Sequence, residues 1–221
     1  MNALPNRSVS TETRQRLLEA GGEVFAEQGF RHATVREICR RARANVAAVN
    51  YHFGDKEGLY VAVIEYAHAR AMENLPLDRL EREDIPAAAR LHAFIHHVMF
   101  QLFDAGMPAW RVKLMAWEMI EPTAALDGLV EKIILPMQQR LELIVQELLG
   151  AGATEARTRL CQLSIIGQCL HHRHAQPVIK RLFPQQQYGP EDLKALADHI
   201  TRFSLGAIQG LVEVGTEGLP R

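Results

Sequence analysis

Between Thr34 and Lys56 the chain reads Thr-Val-Arg-Glu-Ile-Cys-Arg-Arg-Ala-Arg-Ala-Asn-Val-Ala-Ala-Val-Asn-Tyr-His-Phe-Gly-Asp-Lys. Its side chains suit a surface that meets a polyanion carrying hydrogen-bonding edges. Arg36, Arg40, Arg41, Arg43 and Lys56 supply positive charge, and Asn50, Tyr51 and His52 supply donors. Ala47 and Ala48 are small enough to let a helix backbone come close to base edges. Cations for phosphates beside short polar side chains for bases is the chemistry of double-stranded DNA read in its major groove.

Those side chains need two short helices and a tight turn to hold them. Thr34 and Glu37 have the spacing of a capping box, so a helix is expected from Val35, with Val35, Ile38 and Ala42 on its apolar face and the arginines turned to solvent or phosphate. Asn45 is a suitable N-cap for a second helix, in which Val46, Val49 and Phe53 form the buried stripe. Ala47, Ala48, Asn50, Tyr51 and His52 are then left on the other side, the layout of a helix-turn-helix. An earlier helix is expected from Ser10 or Thr11 to Gly29, with Leu17, Leu18, Gly21, Val24 and Phe25 inside and Phe30 folding back on Phe25. Residues 1–9 read as a disordered polar arm from which Arg7 is placed to touch DNA.

From Thr11 to Tyr60, and most densely over Thr34-Val-Arg-Glu-Ile and Val46 to Tyr60, the chain resembles the DNA-binding domain of the TetR family of bacterial transcriptional repressors. The resemblance implies that Arg36, Ala47 and Asn50 face the groove. It implies that Thr34, Tyr51, His52 and Lys56 meet phosphates, with Asn45 and Ala48 completing the reading set. The family usually has glycine in the turn where this chain has Arg43, so a non-glycine residue is expected at positive φ there. Glu118-Met-Ile-Glu-Pro-Thr, and the stretch from His174 to Pro184, are similar to a TetR subgroup whose C-terminal domain is related to the CecR/YbiH regulators. The implied fold is all-α with about nine helices. A three-helix head with the helix-turn-helix, residues 1–56, precedes a helical effector-binding and dimerisation domain, residues 57–221.

Composition is consistent with that reading. The 221 residues are 48% hydrophobic, enough for a buried core, and no run of 18 apolar residues or secretory leader is present, so a cytoplasmic protein without a membrane partner is expected. Net charge is −1, but residues 1–56 carry nine Lys/Arg against six Asp/Glu, and the positive balance falls on the head. Local charge sets attraction to phosphate. Cys39, Cys161 and Cys169 have no metal-type spacing and read as free buried thiols.

Beyond the head, Asp55 caps a fourth helix to about Asn74 with Leu59, Val63, Tyr66 and Ala67 buried, and Leu75 to Pro86 reads as a linker. A fifth helix, begun by Pro86 and closed by Gly106, buries Leu91, Phe94, Ile95, Val98, Leu102 and Phe103. A sixth spans Ala109 to Ile120, and a seventh Ala125 to Leu149 with a kink or break at Pro136. The eighth, Thr154 to about Ala175, is apolar nearly all round. The ninth, Glu191 to about Val214, places Leu193, Leu196, Ile200, Phe203, Ala207, Leu211 and Val214 on one stripe. These two helices either close a monomer's core or build a four-helix bundle across a two-fold axis, with Leu163, Gly167, Leu170, His174, Phe203, Gly206 and Gly210 at the interface.

Met99, Phe100, Phe103, Trp110, Met115, Trp117 and Met119 suit either a core or the wall of an effector pocket, in which Glu118 or Glu121 would pair with a cationic ligand. His171 and His174 can share an ion, but no carboxylate or cysteine completes a set at helical spacing; no metal or cofactor is implied. No nucleophile elbow, phosphate loop or paired acid and base appears, which excludes the common enzyme classes. The expected function is a homodimeric repressor released from a palindromic operator by an unknown small molecule. The rival is a small-molecule or metal-binding helical protein that no longer reads DNA, for which Arg43 is the sequence hint.

Overall fold

A computed structural model describes residues 7–73, 80, 82, 84–104 and 108–213. In chain order the α-helices are α1 (Arg7–His32), α2 (Val35–Ala42), α3 (Val46–Phe53), α4 (Lys56–Glu73), α5 (Ala87–Phe103), α6 (Trp110–Ile120), α7 (Ala124–Leu129), α8 (Leu135–Leu149), α9 (Glu155–His174), α10 (Gln176–Leu182) and α11 (Pro190–Glu213). No strand occurs among the described residues, and none of their helices is long and apolar enough to cross a membrane.

Two compact units are present, one of residues 1–74 and 105–134, the other of residues 75–104 and 135–221. The expected boundary at residue 57 does not match this packing. Leu59, Tyr60, Val63 and Ile64 of α4 are fully buried with Leu17, Leu18, Phe25, Ile38 and Val49, and Leu114 of α6 joins the same core. The apolar face of α4 therefore belongs with the head, and a second stretch of chain is needed to cover it.

In the first unit, α1 starts at Arg7 and so runs further out than expected, because nothing between Arg7 and Ala20 breaks a helix. Residues 1–6 of the expected arm lie outside the described residues. Gly29, at φ 72° and ψ 166°, leaves helical backbone and ends the long first stretch of α1 as expected, with a short kinked stretch to His32 beyond it, and Phe30 packs on Phe25 with ring centroids 6.2 Å apart. Asp55 caps α4 as expected by accepting the Gly58 N–H at 2.8 Å. A Cβ on Gly58 would lie 2.1 Å from the Phe53 carbonyl oxygen, so only glycine fits this turn. The expected seventh helix is split: a π-helical turn, Val130–Ile134, follows α7 and leads into α8, whose second residue is Pro136. A proline lacks the N–H that regular helical bonding needs, and the wider winding just before it accommodates the loss.

In the second unit, α11 lies along α5, and α8 and α9 complete the layer. Pro86 is the residue before the first turn of α5, and Gly106, expected to close it, lies outside the described residues. Buried Arg90 pairs with Glu147, and His92 meets Asp198 at 2.7 Å. The expected single stripe on the last helix is in fact two. Leu193, Ala197, Ile200, Thr201, Ser204 and Ile208 are buried, whereas Phe203, Ala207 and Leu211 are exposed. Val214 lies outside the described residues. All three cysteines are buried and free, and burial pushes the Cys169 thiol up to about 12.

Among the described residues of the first unit, Glu118 is the buried carboxyl group. The Tyr60 hydroxyl donates to it at 2.5 Å, and the Thr123 N–H and hydroxyl donate from the start of α7 at 3.2 and 3.1 Å. Tyr60→Phe keeps the ring and leaves the carboxyl group short of a donor, so it is expected to destabilise the protein by about 1–3 kcal/mol in urea denaturation. An unchanged midpoint would refute that role for the bond.

Candidate nucleic-acid interface

The interface is built on α2 and α3. Thr34 caps α2 from extended backbone, its hydroxyl oxygen accepting the Glu37 N–H at 3.3 Å. The reciprocal half of the expected capping box is not made. The Glu37 carboxylate accepts instead from Arg40, through Nε and Nη2 at 2.8 Å, and from Arg41 Nε at 2.9 Å. Arg41 reaches on to Glu27 of α1 at 2.6 and 3.0 Å. Two arginines close together in a fork outcompete a backbone N–H for one carboxylate. They hold the Glu37 carboxyl at about 2, and Arg41 keeps Glu27 below the usual carboxylate range.

The consequence for DNA is electrostatic. Of the four arginines expected to face solvent or phosphate, Arg40 and Arg41 are paired with acids. Arg36 and Arg43 are exposed and form no ion pair among the described residues. Arg43 makes the turn at φ 49°, ψ 46°, the one non-glycine residue with positive φ among those described. It sits at the end of α2 with its N–H on the Arg40 carbonyl and the Ala44 N–H on the Cys39 carbonyl. These are the closing bonds that a glycine normally makes at a helix C-terminus.

Asn45 caps α3, accepting the Ala47 N–H at 3.0 Å. Val49 is wholly buried and anchors the helix, while Ala47, Asn50 and Tyr51 are exposed, Tyr51 by 74%. Three expectations change. Val46 is 42% exposed and Ala48 is half-buried against the core, so the inner face is rotated toward Ala48, and Val46 joins the outer surface. His52 is half-buried, edge-on to Tyr51 at 4.9 Å. Lys56 is half-buried, donating to the Arg31 carbonyl at 3.3 Å with its Nζ 4.6 Å from the centre of the Phe30 ring, and burial lowers its pKa. Arg14, exposed on α1 with its guanidinium 5.5 Å from the Phe53 ring centre, was not foreseen. Its sequence neighbours carry no signal that α1 passes beside α3.

The residues expected to line one effector pocket are divided between the units. Met99 is buried and Phe103 half-buried in α5 of the second, whereas Trp110, Met115, Trp117 and Glu118 belong to α6 of the first. There Trp110 packs so closely on Gly22 that a Cβ would lie 2.5 Å from its ring, and Trp117 Nε1–H donates to the Ala26 carbonyl at 3.1 Å. Glu118 is held by Tyr60 and Thr123, and Glu121 lies 3.4 Å from Arg31. This segment packs along α1. A cavity of about 40 Å³ among Phe30, Tyr60, Trp117 and Pro122 is too small for an organic effector.

Leu163 and Phe203 are 59% and 61% exposed, and Gly167, Gly206 and His174 are exposed too; Leu170 and Gly210 are half-buried. A Cβ built on Gly167, Gly206 or Gly210 would meet nothing within 4 Å. Among the described residues no group of three or more His, Cys, Asp or Glu is placed to hold a metal.

Comparison with known proteins settles the class. The family model for the C-terminal domain of the HTH-type transcriptional dual regulator CecR matches residues 87–208, more than half of the chain, and that of the bacterial regulatory proteins, tetR family, matches residues 17–63. The chain belongs to the TetR family. It is thus a DNA-binding transcriptional regulator and not an enzyme, as the sequence implied. The chain is 28% identical to the transcriptional dual regulator CecR of Shigella flexneri over 181 residues, 76% of this chain and 78% of that one. Against the transcriptional repressor NicS of Pseudomonas putida identity is 35% over 86 residues, 38% and 40% of the two chains. FadR of Bacillus subtilis, solved in complex with stearoyl-CoA, shares the fold with a TM-score of 0.62 at 19% identity, covering 86% of this chain and 97% of that one. A transcriptional regulator of Rhodococcus does so with a TM-score of 0.60 at 24%, covering 89% and 96%.

Two outcomes follow for this TetR-family head. Arg43→Gly relieves the left-handed conformation and is expected to stabilise the protein by about 1 kcal/mol in thermal or urea denaturation. A loss of stability would show that the arginine side chain holds the turn. Glu37, depressed from 4.5 to about 2, contributes stability that is fully present above 4.5 and is lost as pH falls through about 2. The thermal midpoint is therefore expected to fall less between these pH values in Glu37→Gln than in the unaltered protein.

Proposed function

We propose that the protein is a ligand-responsive repressor that binds a palindromic operator as a homodimer. The outward face of α3 would enter the major groove, with Ala47, Asn50 and Tyr51 at its centre and Val46 beside them. Thr34, Arg36 and Arg43 would hold flanking phosphates, and Asn45, Ala48, His52 and Lys56 would act by shaping the helix and its ends. The single observation that carries the reading is the capped, one-side-anchored α3, whose outer face is left exposed among the described residues.

The dimer is supported by α9 and α11, which touch each other and leave Leu160, Leu163, Phe203 and Leu211 between 43% and 63% exposed. Apolar side chains of this size along two adjacent helices suit a second copy, and the open glycines allow its helices to come close. Two heads at a fixed spacing match two half-sites, and one head with only Arg36 and Arg43 unpaired on α2 and its turn would bind weakly. An effector that favours another spacing releases the DNA, since differential affinity for two shapes is all that induction requires.

Fluorescence anisotropy with the DNA upstream of the protein's own coding sequence tests this. Salt-sensitive, specific binding is expected, reduced about tenfold or more by Arg36→Ala and by Tyr51→Ala. Leu163→Glu combined with Phe203→Glu is expected to give monomers in sedimentation and to lose operator binding. Binding indifferent to both head substitutions would sink the reading.

A further inference from the structure

The second unit contains a polar cluster that its own packing leaves unsatisfied. Arg173, in the last turn of α9, is half-buried; its Nη1 donates to Gln176 Oε1 at 3.2 Å, while its Nε is buried without a hydrogen bond. No carboxylate pairs with it among the described residues. The guanidinium lies 5.4 Å from the centre of the Phe103 ring, and Phe103 stacks on Tyr188 with centroids 4.6 Å apart and planes 8° from parallel. Among the described residues the Tyr188 hydroxyl is buried without a partner, and so is Nδ1 of His172, whose ring centre is 6.4 Å from that of Tyr188.

Buried polar atoms in folded proteins are almost always hydrogen-bonded, so three orphans in one patch call for a partner from outside the chain. The chemistry of that partner follows from what the three can offer. Arg173 Nε–H and the Tyr188 hydroxyl donate, and His172, kept neutral by burial and by nearby His171 and His199, can donate through Nδ1. Burial lowers the Arg173 pKa with no acid to oppose it, the mark of a cation that lacks its counter-charge. A guanidinium with Nε free takes a carboxylate side-on, and the flat faces of Phe103 and Tyr188 suit a flat apolar body. Tyr188 lies in the irregular segment between α10 and α11, where a side chain swings aside more easily than on a helix.

We propose that Arg173, His172 and Tyr188, with the ring of Phe103, are the anion-recognising end of the effector site, and that the effector is a carboxylate carried on an aromatic ring. The proposal rests on the ligand-responsive reading above and names its ligand class. It also moves the site from the Trp110–Glu118 segment to the junction of α5, α9 and the chain before α11.

Isothermal titration of the full-length protein with 2-naphthoate, 2-naphthamide and inorganic phosphate tests it, with operator anisotropy run on the same samples. Naphthoate is expected to bind about 10–100-fold more tightly than the neutral amide. Arg173→Gln should abolish that difference without weakening operator binding in the absence of naphthoate. Arg173→Lys should restore part of it, and Tyr188→Phe, which removes one oxygen, should cost about tenfold. Equal affinity for acid and amide, no binding of naphthoate, or full affinity in Arg173→Gln overturns the proposal. Phosphate binding as tightly as naphthoate overturns the aromatic assignment. Loss of operator binding by the unaltered protein would instead bring down the regulator reading, so the two failures are distinguishable.

Discussion

An eight-residue helix does not hold itself together in water. Everything about α3 depends on how few of its side chains are used to fix it. Val49 is its one fully buried residue, Ala48 and Phe53 are half-buried, and Asn45 and the turn at Arg43 fix its start. The rest of the helix stays available because α1, α2 and α4 provide a floor rigid enough for so small a foot. That floor is in turn tightened by the Glu27–Arg41–Glu37–Arg40 chain of ion pairs across α1 and α2, and by Tyr60 bonded to Glu118 beneath.

The parts of the fold visible in the sequence are those written in local chemistry. Thr34, Asn45, Asp55 and Thr154 were identified as caps or helix starts, and each accepts the N–H that such a residue should. The positive φ of Arg43 was implied by the resemblance, since the family usually has glycine at that place. What escaped was set by neighbours distant in sequence. The division of Ala124–Leu149 into two helices and a π turn needed more than Pro136 alone, and the return of residues 105–134 to the head has no local signature. For the same reason the partners of Trp117 and Glu118, Ala26 and Tyr60, are not legible in the sequence: side chains that line a cavity and side chains that seal a core have the same composition. The α11 stripe failed differently, because residues three and four apart drift round a long helix, so one apparent face can serve two surfaces.

The net charge of residues 1–56 overstates what the head offers to DNA. The excess of positive charge in residues 1–56 is real, but Arg40 and Arg41 spend theirs within the head. What remains outward is a small number of cations around a mostly neutral surface of Val46, Ala47, Asn50 and Tyr51. Such a surface discriminates among base edges more than it attracts phosphate. In the second unit, half-buried Arg173 bonds Gln176 and lies over the Phe103 ring, but no carboxylate among the described residues pairs with it.

The first unit is assembled from two stretches of chain separated by residues 75–104, and this shapes its life on the ribosome. Its core lacks Leu114, Ala125 and Leu129 until about residue 134 has been made, so the N-terminal 74 residues emerge long before their last partners. During that interval the apolar surface that Leu114, Ala125 and Leu129 later cover stays open to misplaced contacts. The head of this regulator is therefore a late-completing structure, and termination within the second unit's first segment would leave α1, α2 and α4 made but without the cover that α6 and α7 give them.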